Sequence, residues 1–306
     1  MIYKREEIAL SIIVVTYNSH EYILSCLNSV LRDSEGIRKE VFVVDNFSTD
    51  NTVALIKETF PEIILIENNR NTGFAVANNF AIKEAKGKYI LLLNPDTIIT
   101  AGTFSELLNF MEENPDIGVL SPKLVKSDGS LDYACRRNFP TPLDVYFHLL
   151  GLDRIFPNSK LFAHYNLLYL DPSQSCDVEC VAGAFMLVRG AAVSMVGLMD
   201  ERFFMYVEDL DWAYRFRLSG WRVYYYAKRE VIHYKKGSTS KESDGMLPEF
   251  YRALYQGYEK YYGQKTIFVL NWMMYLTLNG FLFLSLFFYR CQRVFIRIFG
   301  SLEKRY

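Results

Sequence analysis

Four sets of side chains, far apart in the chain, have the types that can act on a phosphorylated or hydroxylated substrate. Asp45 ends an apolar run at residues 41–44 (VFVV), and Asp96 follows the run Tyr89–Leu93 (YILLL) after Asn94-Pro95. The proline fixes the backbone where the run breaks. Glu208-Asp209-Leu210-Asp211 is the densest acidic cluster and comes directly after Phe203-Phe204-Met205-Tyr206. A carboxylate beside such an apolar wall, facing a cleft, can act as a general base with an adjusted pKa. Acids that open a helix are also stabilised by its dipole, so ordinary capping explains the cluster too. His233 lies just after another predicted strand. With Asp96 it offers one imidazole and one carboxylate, which beside a diphosphate suit Mg2+ or Mn2+. Taken alone, His233 reads equally as a hydrogen-bonded structural histidine, and Asp45 as a cap of the helix after it.

The elements that must position these groups follow from periodicity. Leu10–Thr16 (LSIIVVT) reads as a buried strand. Residues 19–31 carry apolar side chains at Tyr22, Ile23, Cys26, Leu27, Val30 and Leu31, one face of a helix. Strands at 41–44, 63–66 and 89–93 alternate with helices at 53–60, behind the cap Thr49-Asp50-Asn51, and 74–85, stopped by Gly87. Strands alternating with helices at these lengths predict βαβ units in a mainly parallel sheet covered on both faces. Such sheets bind ligands at the carboxyl ends of their strands. Those ends are Thr16-Tyr17-Asn18, Asp45-Asn46, 68–73 and Asn94-Pro95-Asp96-Thr97, all polar. Neither a dinucleotide-binding glycine fingerprint nor a P-loop follows the first strand, so a nucleotide would be held by side-chain contacts to base and ribose.

Beyond residue 97 the pattern is mixed: a helix at 104–113, a strand at 118–122, an irregular stretch at 126–177, a strand at 181–189, a helix at 207–218, a strand at 221–226 and a Tyr-rich helix at 247–262. Residues 266–289 contain no charge, and as a helix they would reach about 36 Å, enough to cross a hydrocarbon core of about 30 Å. Arg290, Arg293, Arg297, Lys304 and Arg305 follow, with Glu303 the one acid among them. Membrane contact is the expectation. Asn271 and Asn279, and a basic end that would face away from a cytosolic catalytic domain, favour an interfacial or hairpin arrangement over a single span. The domains expected are thus a catalytic one at 1–245 and a helical, membrane-associating region at 246–306.

Half of the 306 residues are hydrophobic and 23% are charged, which excludes disorder for most of the chain. A net charge of −1 argues against nucleic acid as a partner. The five cysteines form no zinc-ligand or disulfide framework, which favours free thiols and a reducing compartment. The first seven residues lack a signal-peptide core, so export is not expected.

Seven ordered motifs resemble the family 2 inverting glycosyltransferases of the GT-A fold, and closely their rhamnosyltransferase-like branch. They are SIIVVTYNS (11–19), VFVVDNFSTDNT (41–52), NRNTGFAVANN (69–79), LLLNPDT (91–97), VAGAFMLVR (181–189), MDERFFMYVEDLDWAYRFRLSGW (199–221) and VIHYKKGST (231–239). The resemblance implies an α/β, Rossmann-like, mostly parallel twisted sheet flanked by helices, with the hydrophobic helical tail added. It implies that Thr16, Tyr17, Asn18, Asp45 and Asn46 hold base and ribose, and that Gly73, near Asn71, lets backbone approach the donor. Asp96 matches the metal-binding acid of the family's D-x-D element, with Asn94 in place of the first Asp, and His233 matches its late histidine. Asp209 corresponds to the catalytic base, with Glu208 and Trp212 near the acceptor.

The reaction so implied is transfer of a single sugar with inversion, from dTDP-L-rhamnose or a UDP-sugar, to a saccharide or lipid-linked saccharide in cell-surface polysaccharide synthesis. It would need a divalent cation and take place at the cytoplasmic face of the cell membrane. The Q-x-x-R-W element of processive synthases is absent. Two other readings stand beside it: a sugar- or lipid-binding module that kept this fold without catalysis, which Asn94 favours, and a nucleotidyltransferase. The second would need a basic, Gly-rich phosphate loop where Tyr17-Asn18-Ser19-His20 stands.

Overall fold

The computed structural model describes residues 8–235 and 243–299, with side chains in the second span for 246–291. Residues 1–7, motif residues 236–239 and the side chains of Arg293, Arg297, Glu303, Lys304 and Arg305 lie outside that description.

The first half alternates as its periodicity requires: β1 (Leu10–Thr16), α1 (Ile23–Asp33), β2 (Lys39–Asp45), α2 (Thr52–Thr59), β3 (Ile64–Glu67), α3 (Phe74–Glu84) and β4 (Tyr89–Leu93). Then come β5 (Thr97–Ile98), α4 (Thr103–Glu113) and β6 (Ile117–Val125). The stretch without a clear pattern forms two short helices, α5 (Pro142–Leu149) and α6 (Leu152–Ile155), and a short strand, β7 (Cys176–Val178). The chain continues through β8 (Phe185–Arg189), α7 (Gly190–Val196), α8 (Glu208–Leu218), β9 (Arg222–His233), α9 (Ser243–Tyr261) and α10 (Phe268–Phe299).

Nine strands form one sheet in the order β3-β2-β1-β4-β8-β6-β9-β5, with β7 on β9. It is parallel from β3 to β4, where helices cross over between strands, and mixed beyond: β8 is antiparallel to β4 and β6, β6 is parallel to β9, and β5 and β7 are antiparallel to β9. After β4 the chain leaves through the 94–97 turn instead of a crossover helix, which frees the later strands from the parallel rule. β9 is also longer than the expected strand at 221–226, and His233 is its last residue rather than a residue beyond it.

β1 and β4 are buried along their whole length, so apolar side chains on both faces fill the space under the flanking helices. A separate small core joins the C-terminal helices to α5: Tyr251, Tyr258, Met274 and Leu278 are buried among Val145, Tyr146, Leu149 and Phe250. The other face of α10 is apolar and exposed, including Phe268, Trp272, Met273, Phe283 and Phe288. Phe268–Cys291 is long and apolar enough to cross a membrane, and little of it is buried.

Candidate active site

Strand register puts Thr16 and Asp45 side by side at the carboxyl ends of β1 and β2. Thr16 Oγ1 and Asp45 Oδ1 are both buried there without a hydrogen-bond partner, while Asp45 Oδ2 accepts from Ser48 N–H at 2.9 Å. Unpartnered buried oxygens are costly, and hydroxyl or amide groups of a bound molecule would relieve them. Asn46, next in sequence, is a hub. Its Nδ2 donates to Asn71 Oδ1 (2.8 Å) and to the Gly73 carbonyl (3.2 Å), and its Oδ1 accepts from Thr72 N–H (2.9 Å) and Asn68 Nδ2 (3.1 Å). A cavity of about 380 Å³ opens here, lined by Thr16, Tyr17, Asn46, Asn71, Asn94, Asp96 and His233 among others.

Three expected donor-side residues stand behind this lining. Asn18, with φ +51°, uses Oδ1 to accept from Thr49 N–H at 2.8 Å and so ties β1 to the loop after β2. Asp45 lies under Asn46. Gly73 has φ +82°, and a Cβ on it would meet the Phe204 carbonyl oxygen at 2.3 Å. Glycine is thus required here by the close approach of the 203–206 segment.

Asp96 and His233 meet although 137 positions separate them. The two-residue β5 pairs Thr97 with His233, which carries the turn after β4 against the end of β9. His233 Nε2 lies 3.3 Å from Asp96 Oδ1 and 3.4 Å from Asn94 Nδ2, and Nδ1 lies 2.8 Å from Asp132 Oδ2. Burial alone would lower the imidazole's pKa, but its bonds to Asp132 and Asp96 outweigh that and push it up to about 9. Asp132 acts from behind: a carboxylate on Nδ1 turns Nε2 toward the cavity, the arrangement usual for metal-binding histidines. Among the described residues no set of three His, Cys, Asp or Glu side chains is arranged to hold a metal. Asp96 and His233 alone would face such an ion, a sparse set that would suit a hard divalent cation with substrate phosphates and water completing the shell once the imidazole had given up its proton.

A second cavity, of about 300 Å³, adjoins the first and shares with it Phe74, Asn94, Met205, Tyr206, His233 and Lys235. Glu208 and Asp209, at the N-terminus of α8, face it. Asp209 Oδ2 accepts from Arg137 Nη2 at 2.9 Å and from Gly183 N–H at 3.1 Å, and Oδ1 accepts from Leu210 N–H at 2.7 Å. Gly183 allows this contact, because a Cβ there would lie 2.9 Å from the Phe74 ring. Glu208 is 4% exposed, and its Oε2 has no partner. Burial, and then the charge of Asp209, raise its pKa well above the usual carboxylate range.

Trp212 does not take the position expected for it. It is fully buried, lines neither cavity, and donates from Nε1 to the Gly197 carbonyl at 2.9 Å while packing on Phe216. One turn into α8, it points away from the cleft and into the core under α7.

Sequence reasoning missed Asp132, Arg137, Tyr165 and Lys235. Arg137 Nη1 donates to Tyr165 Oη at 3.2 Å, and Lys235 Nζ lies 2.7 Å from Asp132 Oδ1. Three of the four fall in or beside the irregular 126–177 stretch, where no periodicity marks a facing side chain. The one available signal was Arg136-Arg137, the chain's single Arg-Arg pair.

Comparison with known proteins shows the family and the fold. The glycosyl transferase family 2 model matches residues 11–176. The N-acetylglucosaminyl-diphospho-decaprenol L-rhamnosyltransferase of Mycobacterium tuberculosis is 29% identical over 257 residues, 80% of this chain and 82% of that protein. The rhamnosyltransferase WbbL of Escherichia coli is 27% identical over 235 residues, 73% and 82% of the two chains. Among solved structures, Staphylococcus aureus TarS 1–349 aligns with a TM-score of 0.54 at 20% identity, over 81% of this chain and 64% of that one. The mannosyltransferase PcManGT of Pyrobaculum calidifontis, in complex with GDP-Man and Mn2+, aligns with a TM-score of 0.55 at 19% identity, over 82% and 63%. The chain spans a little under two thirds of these two structures, and at such identities they speak to the fold.

Proposed function

The chain belongs to glycosyl transferase family 2, and from that premise we propose that it moves one sugar from a nucleotide-diphosphate donor to a hydroxyl of a lipid-linked saccharide, with inversion at the anomeric carbon. The observation that carries this reading is the shared wall: a cavity of strand-end amides, Asp96 and His233 adjoins a cavity holding Asp209 and Glu208. A donor in the first and an acceptor in the second meet at Phe74, Asn94, Met205 and Tyr206.

Thr16, Tyr17 and Asn46 receive base and ribose, with Asp45 beneath them. Asp96 and His233 would hold a divalent cation, Mg2+ or Mn2+, which when bound would offset negative charge on the diphosphate. The PcManGT complex with Mn2+ supports cation use within this fold. Asp209 takes the proton from the acceptor hydroxyl as its oxygen attacks the anomeric carbon on the face opposite the nucleotide. Arg137 and Gly183 N–H fix the carboxylate, so its position toward the acceptor hydroxyl is preset. The bond from the anomeric carbon to the diphosphate breaks as the new glycosidic bond forms, and a second carboxylate acting as nucleophile is not needed.

Two relatives named as rhamnosyltransferases favour dTDP-L-rhamnose as donor over a UDP-hexose, and the diphospho-decaprenol in one name favours a lipid-linked acceptor. Residues 1–245 form the catalytic part. Residues 246–306 hold it at the cytoplasmic face of the cell membrane through the exposed apolar side of α10. A chain truncated after Gly263 stays in the soluble fraction on this reading; sedimentation of that truncation with membranes would contradict it.

Incubation of the purified protein with a panel of nucleotide sugars and a lipid-linked saccharide tests the activity. The expected products are nucleoside diphosphate and a glycoside of inverted anomeric configuration by NMR. Release of nucleoside monophosphate or pyrophosphate, or a retained configuration, sinks the mechanism.

A further inference from the structure

Behind the catalytic cavity lies a third, of about 290 Å³, bounded by the chain from Lys126 to Arg137, by α5 and α6, and by Lys235. Its lining carries four basic side chains, Lys126, Arg137, Arg154 and Lys235, against two acids, Asp132 and Asp153, a surplus of two positive charges in a chain whose net charge is −1.

Both acids are already engaged. Asp132 takes His233 at 2.8 Å and Lys235 at 2.7 Å, while Asp153 takes His148 at 2.7 Å and Asn166 Nδ2 at 3.2 Å. Lys126 and Arg154 make no ion pair among the described residues, and Arg137 Nε is buried without a hydrogen-bond partner. Cations converging on a polar hollow, with donors left over, suit a phosphate group.

The position of this hollow is informative. It shares Asp132, Arg137, His148, Tyr165 and Lys235 with the catalytic cavity, and Arg137 is the residue that grips Asp209. Close to Arg154 in the chain, Leu150, Ile155, Phe156 and Leu161 are apolar and about half exposed or more. The hollow thus adjoins the cavity of the base, and exposed apolar side chains flank Arg154 in the chain; a saccharide joined through phosphate to a hydrocarbon chain offers the same three chemistries.

We propose that this basic hollow binds the phosphate or diphosphate linking the acceptor saccharide to its lipid, with Lys126 and Arg154 as its uncommitted cations. The proposal rests on the acceptor reading of the catalytic cavity given above.

The test compares two acceptors carrying one saccharide, the first on a short-chain polyprenyl diphosphate and the second on an alkyl glycoside. The wild-type enzyme should show an acceptor KM about tenfold or more lower for the diphosphate, the size of effect that charge-assisted hydrogen bonds supply. Lys126→Ala with Arg154→Ala should close most of that gap, and Lys126→Arg with Arg154→Lys should retain it, which separates lost charge from lost folding. A wild-type enzyme that uses both acceptors equally overturns the phosphate site and leaves the glycosyltransferase reading intact. One that uses neither, while still binding donor, overturns both. If the alanine variant instead loses binding to phosphatidylglycerol vesicles over phosphatidylcholine vesicles and keeps the KM gap, the hollow serves a bilayer headgroup and the proposal fails.

Discussion

Asn46 and Asp209 face adjoining cavities at one end of the same sheet, but their surroundings hold them in different ways. Asn46 directly follows a strand whose register is set by backbone bonds to β1 and β3, and its amide is shared among Asn68, Asn71, Thr72 and Gly73. Every partner is neutral and comes from the next strand-end loop. Asp209 sits at a helix start and depends on Arg137 from an irregular segment, a charge pair made across the fold. Around it remain buried groups without partners, Glu208 Oε2 and Arg137 Nε. A neutral network at strand ends comes with the βαβ repeat. The charged constellation beside it is assembled from separate segments, and both sides leave buried polar atoms for a substrate to satisfy, Thr16 Oγ1 and Asp45 Oδ1 at the strand ends and Glu208 Oε2 and Arg137 Nε around Asp209.

That contrast predicts separable effects. The largest falls on the charged side: Asp209→Asn should reduce the rate of transfer by about 10²–10⁴-fold while the donor dissociation constant, measured by calorimetry, stays near that of the wild type. A parallel loss of donor affinity would mean the two cavities do not divide the work.

Next is the residue behind His233, which both cavities share. Asp132→Asn should cost about 10–100-fold in activity, because it releases the His233 ring from behind, and raising the divalent cation concentration should recover part of the loss. No recovery at high cation would assign Asp132 to some role other than orienting His233.

Asn46→Ala should weaken donor binding by about 1–3 kcal/mol, since it strands amide donors and acceptors that are otherwise paired, and leave the acceptor KM unmoved. A change in acceptor KM alone would reverse the proposed sides.

The smallest effect is on stability. Folded Glu208 keeps its proton above the ordinary value of 4.5, so the folded chain binds more protons than the unfolded one over that interval. Stability therefore falls as pH rises from about 4.5 through the raised pKa. Glu208→Gln removes the penalty and should lift the melting temperature by a few degrees at neutral pH, with the difference shrinking toward pH 4. A variant that melts at or below the wild type at pH 7 would show that burial does not penalise this carboxylate.

The same contrast explains what could be read from the residues alone. β1 and β4 were legible to the residue because runs such as LSIIVVT and YILLL have one buried solution between polar ends, and their ends named Thr16, Tyr17, Asn94 and Asp96 of the first cavity. Asp96 and His233 were legible as types, but their meeting depends on the two-residue β5, too short to leave a pattern. Arg137 and Asp132 were not legible. They lie in a segment whose shape is set by individual hydrogen bonds such as Asp132 to Ala134 N–H and Arg137 N–H to the Cys180 carbonyl, not by a repeat. Trp212 shows the converse limit, since adjacency to a functional pair does not fix which face of a helix a side chain takes.

A structure of the Asp209→Asn protein with an intact nucleotide sugar and divalent cation would test the shared wall most directly. The account predicts the nucleotide against Thr16, Asn46 and Asn71, the diphosphate beside Asp96 and His233, and the anomeric carbon turned toward position 209 across Met205 and Tyr206. A nucleotide seated in the cavity of Glu208 and Arg137, or a sugar ring directed away from residue 209, would contradict it.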